Sequence, residues 1–124
     1  MGIKSVINNR PDEEQGLPIN SEQAETAAHK HGLNYTYLPA AHHDLLGQEL
    51  IDSFDAASTS VPGPVLAYCR TGNRSSILWA LATAKRGSVK DILRQLADVG
   101  LDIDFLEAEL QEQSERTELV ENSL

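Results

Sequence analysis

One cysteine in 124 residues is the first scarcity to weigh. A single thiol forms no intrachain disulfide and supplies no cysteine-rich zinc site, so a reducing, cytoplasmic setting is the expectation. Aromatic residues make up only 5 %, with one Trp, and hydrophobic residues 40 %, which allows a modest core. No apolar run approaches the ~20 residues that span a bilayer, and no basic segment followed by an apolar one opens the chain. Cations are scarce as well: ten Lys and Arg stand against nineteen Asp and Glu, a net charge of −9. That field repels polyanions and argues against nucleic-acid or anionic-membrane partners. The length suits a single domain, residues 1–124, with a radius of gyration of roughly 14 Å and a polar tail from about residue 114.

What charge there is lies unevenly. Between Arg70 and Arg94 six basic residues face one acid, Asp91, whereas nine acids and only Arg116 occupy the stretch from Asp98 to Glu121. An acidic chain that gathers cations just after its one thiol has the makings of a local anion site. Lys85, Arg86, Lys90 and Arg94 equally fit the solvated ends of helices.

Hydrophobic spacing gives the elements. Ile3 to Asn8 reads as a buried strand, ended by the turn Asn8-Asn9-Arg10-Pro11. Pro18 to Ser21 opens a helix capped by Asn20 or Ser21, which Gly32 stops. Asn34 to Leu38 is a second strand. Leu45, Leu46, Leu50, Ile51, Phe54 and Ala57 recur at helical spacing over 45–57. Val65 to Tyr68 is a third strand, and Arg74 to Lys85 a helix apolar nearly all round, fit for burial against a sheet. Ser88 caps a helix to Ala97, and Asp102 starts the last one, amphipathic through Phe105, Leu106 and Leu110. Strands that alternate with helices predict an α/β domain, a mainly parallel sheet flanked by helices. The chain begins almost inside a strand, and three strands are few for five helices. A further strand and helix, missing upstream or supplied by a partner, are therefore expected.

The sharpest signal is Val65-Leu66-Ala67-Tyr68-Cys69-Arg70-Thr71-Gly72-Asn73-Arg74-Ser75-Ser76. A buried strand delivers a thiol to its C-terminal end, where ligand sites of open α/β sheets lie. A glycine-bearing loop and a helix N-terminus follow, so backbone N–H groups of Arg70, Thr71, Gly72 and Asn73 converge into a nest for an anion. With Arg70 and Arg74 near, the Cys69 thiol is expected to ionise more readily than a free one. Gly72 permits a positive φ or close backbone approach. Arg74 is suited to grip two oxygens of a tetrahedral oxyanion, and Ser75 to donate a hydrogen bond to sulfur or assist a leaving group. A lone cysteine at a strand end is otherwise a small buried hydrophobe.

This loop resembles those of two families. Cysteine phosphatases of the tyrosine and dual-specificity type carry Cys, five residues, then Arg. Rhodanese-type sulfurtransferases carry Cys-Arg-x-Gly-x-Arg, and the four residues between Cys69 and Arg74 match that shorter spacing. A shorter loop makes a smaller cradle, closer in size to a persulfide or thiosulfate than to a phosphoester. Over most of its length the chain resembles the phosphatase-like domain of beta-lactamase hydrolase-like proteins. The likeness rests on Gly2 to Asp12, the Leu38-Pro39 strand end, Pro62 to Gly72, the helix from Ser76 to Ala84 and Ser88 to Leu93. It implies a cysteine-phosphatase-like fold of the dual-specificity type bearing a rhodanese-length loop. Fusion of some members to a persulfide dioxygenase implies sulfane-sulfur handling and that enzyme as a partner. A strand and helix before Gly2-Ile3-Lys4-Ser5 are usual in the family.

The leading functional expectation is a sulfurtransferase that moves sulfane sulfur through a Cys69 persulfide to a thiol acceptor, with loop N–H groups, Arg70 and Arg74 binding the anion. The alternative is a phosphatase working through a phosphocysteine, with Arg74 on the phosphoryl oxygens and Asp44 as general acid. A third reading is a non-catalytic anion-sensing or partner-binding module. Asp44 is better suited, taken alone, to cap a helix starting at Leu45. Arg10, at the same sheet edge as Cys69, either lines the pocket or pairs with a surface acid. His29 with His31, and His42 with His43, point their rings apart, so no metal and no cofactor are expected. The substrate is a small oxyanion or persulfide, and an oligomer is compatible with the sequence.

Overall fold

The computed structural model describes residues 2–14, 16, 19–101 and 106–123. Three strands form one sheet: β1 (Ser5–Asn8), β2 (Asn34–Tyr37) and β3 (Val65–Tyr68), in the order β2-β1-β3 with both pairings parallel. The helices are α1 (Ser21–Lys30), α2 (Gln48–Thr59), α3 (Asn73–Thr83), α4 (Val89–Asp98) and α5 (Glu107–Ser123). Element order and parallel pairing give the α/β class read from the sequence. The contacts divide the chain into two units, Met1–Ser75 and Ser76–Leu124.

The first unit holds the sheet, α1, α2 and the N-terminal turn of α3. Central β1 places Ile7 fully out of solvent, and Ile51 and Phe54 of α2 are buried as well. Pairing runs past both ends of β1. Lys4 N–H donates to Pro64 O at 3.0 Å, and Asn9 N–H to Tyr68 O at 2.7 Å. The Gly63–Pro64 bond that leads into β3 is cis. Asn20 caps α1 through a reciprocal pair with Gln23, and Asp12 adds a second clamp by accepting from the Ser21 N–H and hydroxyl, both at 2.8 Å. Each satisfies N–H groups that a helix start leaves without intrahelical acceptors. Pro18, expected at this helix entrance, lies outside the described residues.

The helix expected over 45–57 differs. It starts at Gln48, because His42–Asp44 form a single 3₁₀ turn that closes with Gly47 N–H on Asp44 O at 2.9 Å. Gly47, in extended backbone, is the residue that caps α2, so Asp44 is not its cap.

The second unit comprises the rest of α3 with α4 and α5. Leu78, Ala80, Leu81 and Ala82 of α3 are buried. Ser88 caps α4 by accepting from Asp91 N–H at 3.3 Å, and Val89, Ile92 and Leu96 form the stripe that α4 buries. Helices α4 and α5 pack together, with Leu106 and Leu110 buried. Asp102 and Phe105, named for the start of the last helix, lie outside the described residues. Backbone beyond residue 114, expected as a tail, continues α5 to Ser123. Among the described residues no helix is long and apolar enough to cross a membrane.

Candidate active site

Central β1 carries the organisation of the site. Asn9, one residue past its end and fully buried, holds three segments at once. Its N–H reaches Tyr68 O of β3, and its carbonyl accepts from Ala40 N–H at 2.9 Å. Its side-chain amide donates to Leu38 O at 2.9 Å, and the amide oxygen accepts from the Ser75 hydroxyl at 2.8 Å. The exits of β2 and β3 and the start of α3 are thus tied to one residue.

Cys69 follows β3 directly and is 9 % exposed. Gly72, at φ +91°, turns its N–H onto Cys69 Sγ at 3.2 Å. Burial pushes the thiol pKa up, but the backbone N–H groups of Ser75, Thr71 and Gly72 outweigh it, and the net displacement is downward from the ordinary thiol value. The Ser75 hydroxyl lies close enough to sulfur to add to that lowering, yet its one proton is given to Asn9. Backbone amides therefore do most of the holding.

Arg74 is 3 % exposed and fixed by an acid from a distant loop. Its Nη1 donates to Glu14 Oε2 at 2.6 Å and to Ala40 O at 2.7 Å, and its Nη2 donates to Glu14 Oε1 at 3.0 Å. A guanidinium has five N–H donors in a planar fork. Glu14 and Ala40 take three, and Nε–H and one Nη2–H remain side by side, a fork suited to two oxygens of an oxyanion, with Cys69 also within side-chain hydrogen-bonding reach of the guanidinium. Glu14 first, and Cys69 less strongly, favour the charged guanidinium. Arg10 Nε also donates to Glu14 Oε1, at 3.2 Å. The Arg74 hydrogen bond, supported by Arg10, keeps the Glu14 carboxyl below the usual carboxylate range despite its partial burial.

A cavity of about 500 Å³ opens over this loop, lined by Glu14, His42, Arg70, Thr71, Asn73 and Arg74. Cys69 is not itself in the wall; the loop that closes on its sulfur is. Arg70, Thr71 and Asn73 are exposed, and Asn73 N–H bonds Thr71 Oγ1 at 3.4 Å. Of the residues singled out from sequence, Cys69, Arg70, Thr71, Gly72, Asn73, Arg74 and Ser75 meet here, with Arg10 behind Glu14. Asp44 does not. It lines a separate cavity with Leu38, Pro39, Gly47, Glu49, Leu50 and Ser53, and its carboxylate pairs with His43 at 3.5 Å. Glu14, Asn9 and His42 were not singled out for the site, since Asn9 and Glu14 reach it from the connection after β1 and His42 from the turn after β2, all far from Cys69 in sequence. The one sequence signal for Glu14 was its place just beyond the Asn9-Arg10-Pro11-Asp12 turn at the same sheet edge. Among the described residues no three of His, Cys, Asp or Glu gather as metal ligands.

Residues 1–86 match the phosphatase-like domain of beta-lactamase hydrolase-like proteins. The chain belongs to that family. A beta-lactamase hydrolase-like protein of Agrobacterium fabrum is 34 % identical over 90 residues, and one of Xylella fastidiosa 32 % over 89. Each alignment covers 72 % of this chain, which spans about a fifth of the length of those relatives (20 % of each). The crystal structure of a candidate phosphatase from Neisseria meningitidis superposes with a TM-score of 0.74 at 29 % identity, covering 90 % of this chain and 80 % of that one. One from Shewanella putrefaciens, at 24 % identity and a TM-score of 0.69, covers 94 % and 76 % and attests the fold. The family membership read from segments along most of the chain, and the cysteine-phosphatase-like fold it implied, are thus established. The comparisons favour the phosphatase alternative and lend sulfur transfer no support.

Proposed function

We propose that this domain is a cysteine-dependent phosphatase. The observation that carries the reading is a thiol held by loop N–H groups, which lower its pKa, beside a buried arginine with two fork donors that neither Glu14 nor Ala40 takes. The family and the candidate phosphatase from Neisseria support the same chemistry.

In this reading Cys69 thiolate attacks phosphorus. The S–P bond forms as the bond to the ester oxygen breaks, and that bond's electron pair goes to the departing oxygen. Arg74 Nε and Nη2 with the loop N–H groups hold the phosphoryl oxygens as charge develops on them. The proton for the departing oxygen is assigned to His42, because His42 lines the loop's cavity and Asp44 lines another. Water then attacks phosphorus and gives its proton back to His42. The S–P bond breaks, releasing inorganic phosphate and restoring the thiolate.

The loop spacing, with four residues from Cys69 to Arg74, favours sulfur transfer as a second reading. One set of assays separates the two. Hydrolysis of p-nitrophenyl phosphate is expected, falling on the order of a thousandfold or more in Cys69→Ser. A phosphocysteine should be trapped by mass spectrometry at low pH. Cys69-dependent thiocyanate from thiosulfate and cyanide, without phosphate release from any ester, would overturn the proposal.

A further inference from the structure

The wall of the cavity over the Cys69 loop has an unusual chemistry for a small-molecule pocket. Such pockets are lined mainly by aliphatic and aromatic side chains with a few polar groups. Among the described residues the wall here is Glu14, His42, Arg70, Thr71, Asn73 and Arg74, none of them aliphatic and none bearing a phenyl, phenol or indole ring. Among these residues an aryl ester finds no apolar side chain to pack its ring against.

The two arginines in this wall differ. Arg74 is buried and gives three donors to Glu14 and Ala40. Arg70 is exposed and, among the described residues, has neither an ion pair nor a side-chain hydrogen bond. The Asn73 side-chain amide and the His42 imidazole have no protein partner among them either. Among the described lining residues the one carboxylate, Glu14, is already held by Arg74 and Arg10. One side of the cavity therefore offers an unused guanidinium fork and an unused amide donor, next in sequence to the nucleophile and to Arg74. In a chain of net charge −9, that side is the local exception.

We propose that the substrate is a small, non-aromatic ester carrying two phosphates. One phosphoryl group goes to Cys69 and the free fork of Arg74, and the second is held by the Arg70 guanidinium with the Asn73 amide. A planar fork matches phosphate geometry, and both recognition groups remain donors through the reaction. This inference rests on the phosphatase reading above and assigns its substrate class.

The test compares alkyl phosphates that differ in the second charge. Phosphate release is measured from fructose 1,6-bisphosphate against fructose 6-phosphate, and from 2,3-bisphosphoglycerate against 3-phosphoglycerate. The enzymes are the full chain and its Cys69→Ser, Arg70→Ala and Arg70→Lys variants, with p-nitrophenyl phosphate hydrolysis as the measure of Cys69 chemistry. At least one bisphosphate should show kcat/KM tenfold or more above its monophosphate. Arg70→Ala should bring that ratio towards one, chiefly by raising KM for the bisphosphate, and Arg70→Lys should restore part of it. Cys69-dependent hydrolysis of p-nitrophenyl phosphate with ratios near one in both pairs would overturn the substrate class and leave the phosphatase reading standing. A high ratio that survives Arg70→Ala would overturn the role of Arg70. Absence of Cys69-dependent release from every ester would overturn both readings.

Discussion

At the scale of single residues, the chemistry depends on how one sulfur is solvated by protein in place of water. Burial alone would protonate Cys69, and the amide hydrogens of its own loop reverse that. Gly72 is the residue that makes the loop turn back, since φ +91° is costly for any side chain with a Cβ. A Cβ built there meets nothing within 4 Å, so Gly72→Ala tests backbone strain without a clash. The alanine is expected to relax towards negative φ and swing its N–H off Sγ. The pH midpoint for alkylation of Cys69 by iodoacetamide should then rise above that of the parent chain. An unchanged midpoint would mean that this amide does not stabilise the thiolate.

At the scale of elements, the loop after β3 works only because β1 ends beside it. Asn9 joins that end to β2 and to the start of α3, and its amide has no exposure to water. Asn9→Ala leaves the Leu38 carbonyl and the Ser75 hydroxyl without their partner, at a cost of about 1–3 kcal/mol for an orphaned buried group. A fall in the urea midpoint of unfolding checks it. The same change frees the Ser75 proton to turn towards Sγ. The alkylation midpoint should therefore move down, opposite to Gly72→Ala. If both substitutions moved it the same way, the division of labour between backbone amides and hydroxyl would be wrong. The strand–loop–helix unit was legible because Cys69 to Ser75 are contiguous and each has a residue type suited to its place. The start of α2 was misread because apolar spacing from Leu45 onward fits a helix. Whether a 3₁₀ turn closes first depends on Gly47 N–H meeting Asp44 O, which spacing does not encode.

At the scale of the whole molecule, the link from Glu14 to Arg74 spans 60 residues and makes folding stability depend on pH. Arg74 lowers the Glu14 carboxyl below its usual range in the folded chain. An acid whose pKa falls on folding stabilises the native state fully above its unfolded value, and the gain disappears as pH drops through the folded value. The parent chain should therefore exceed Glu14→Gln in urea midpoint at neutral pH, and the gap should close on acidification to below about pH 4. A gap independent of pH would show that the pair contributes through shape rather than charge. Glu14 is a positioning residue here, so the variant should also weaken the grip on phosphate through a mobile Arg74, seen as a larger KM.

The sequence alone was enough to specify the Cys69–Ser75 loop and the alternation of strands and helices. Both are local, set by contiguous residues and by hydrophobic period. It could not specify which acid would fix Arg74, which side chain of the turn from His42 to Asp44 would reach the cavity, or how Asn9 would divide its hydrogen bonds. Those follow from the strand order β2-β1-β3, which brings loops dozens of residues apart to the same sheet edge. Side-chain partners at such an edge are chosen by distance and direction in space, and neither is written in the spacing of residues along a chain.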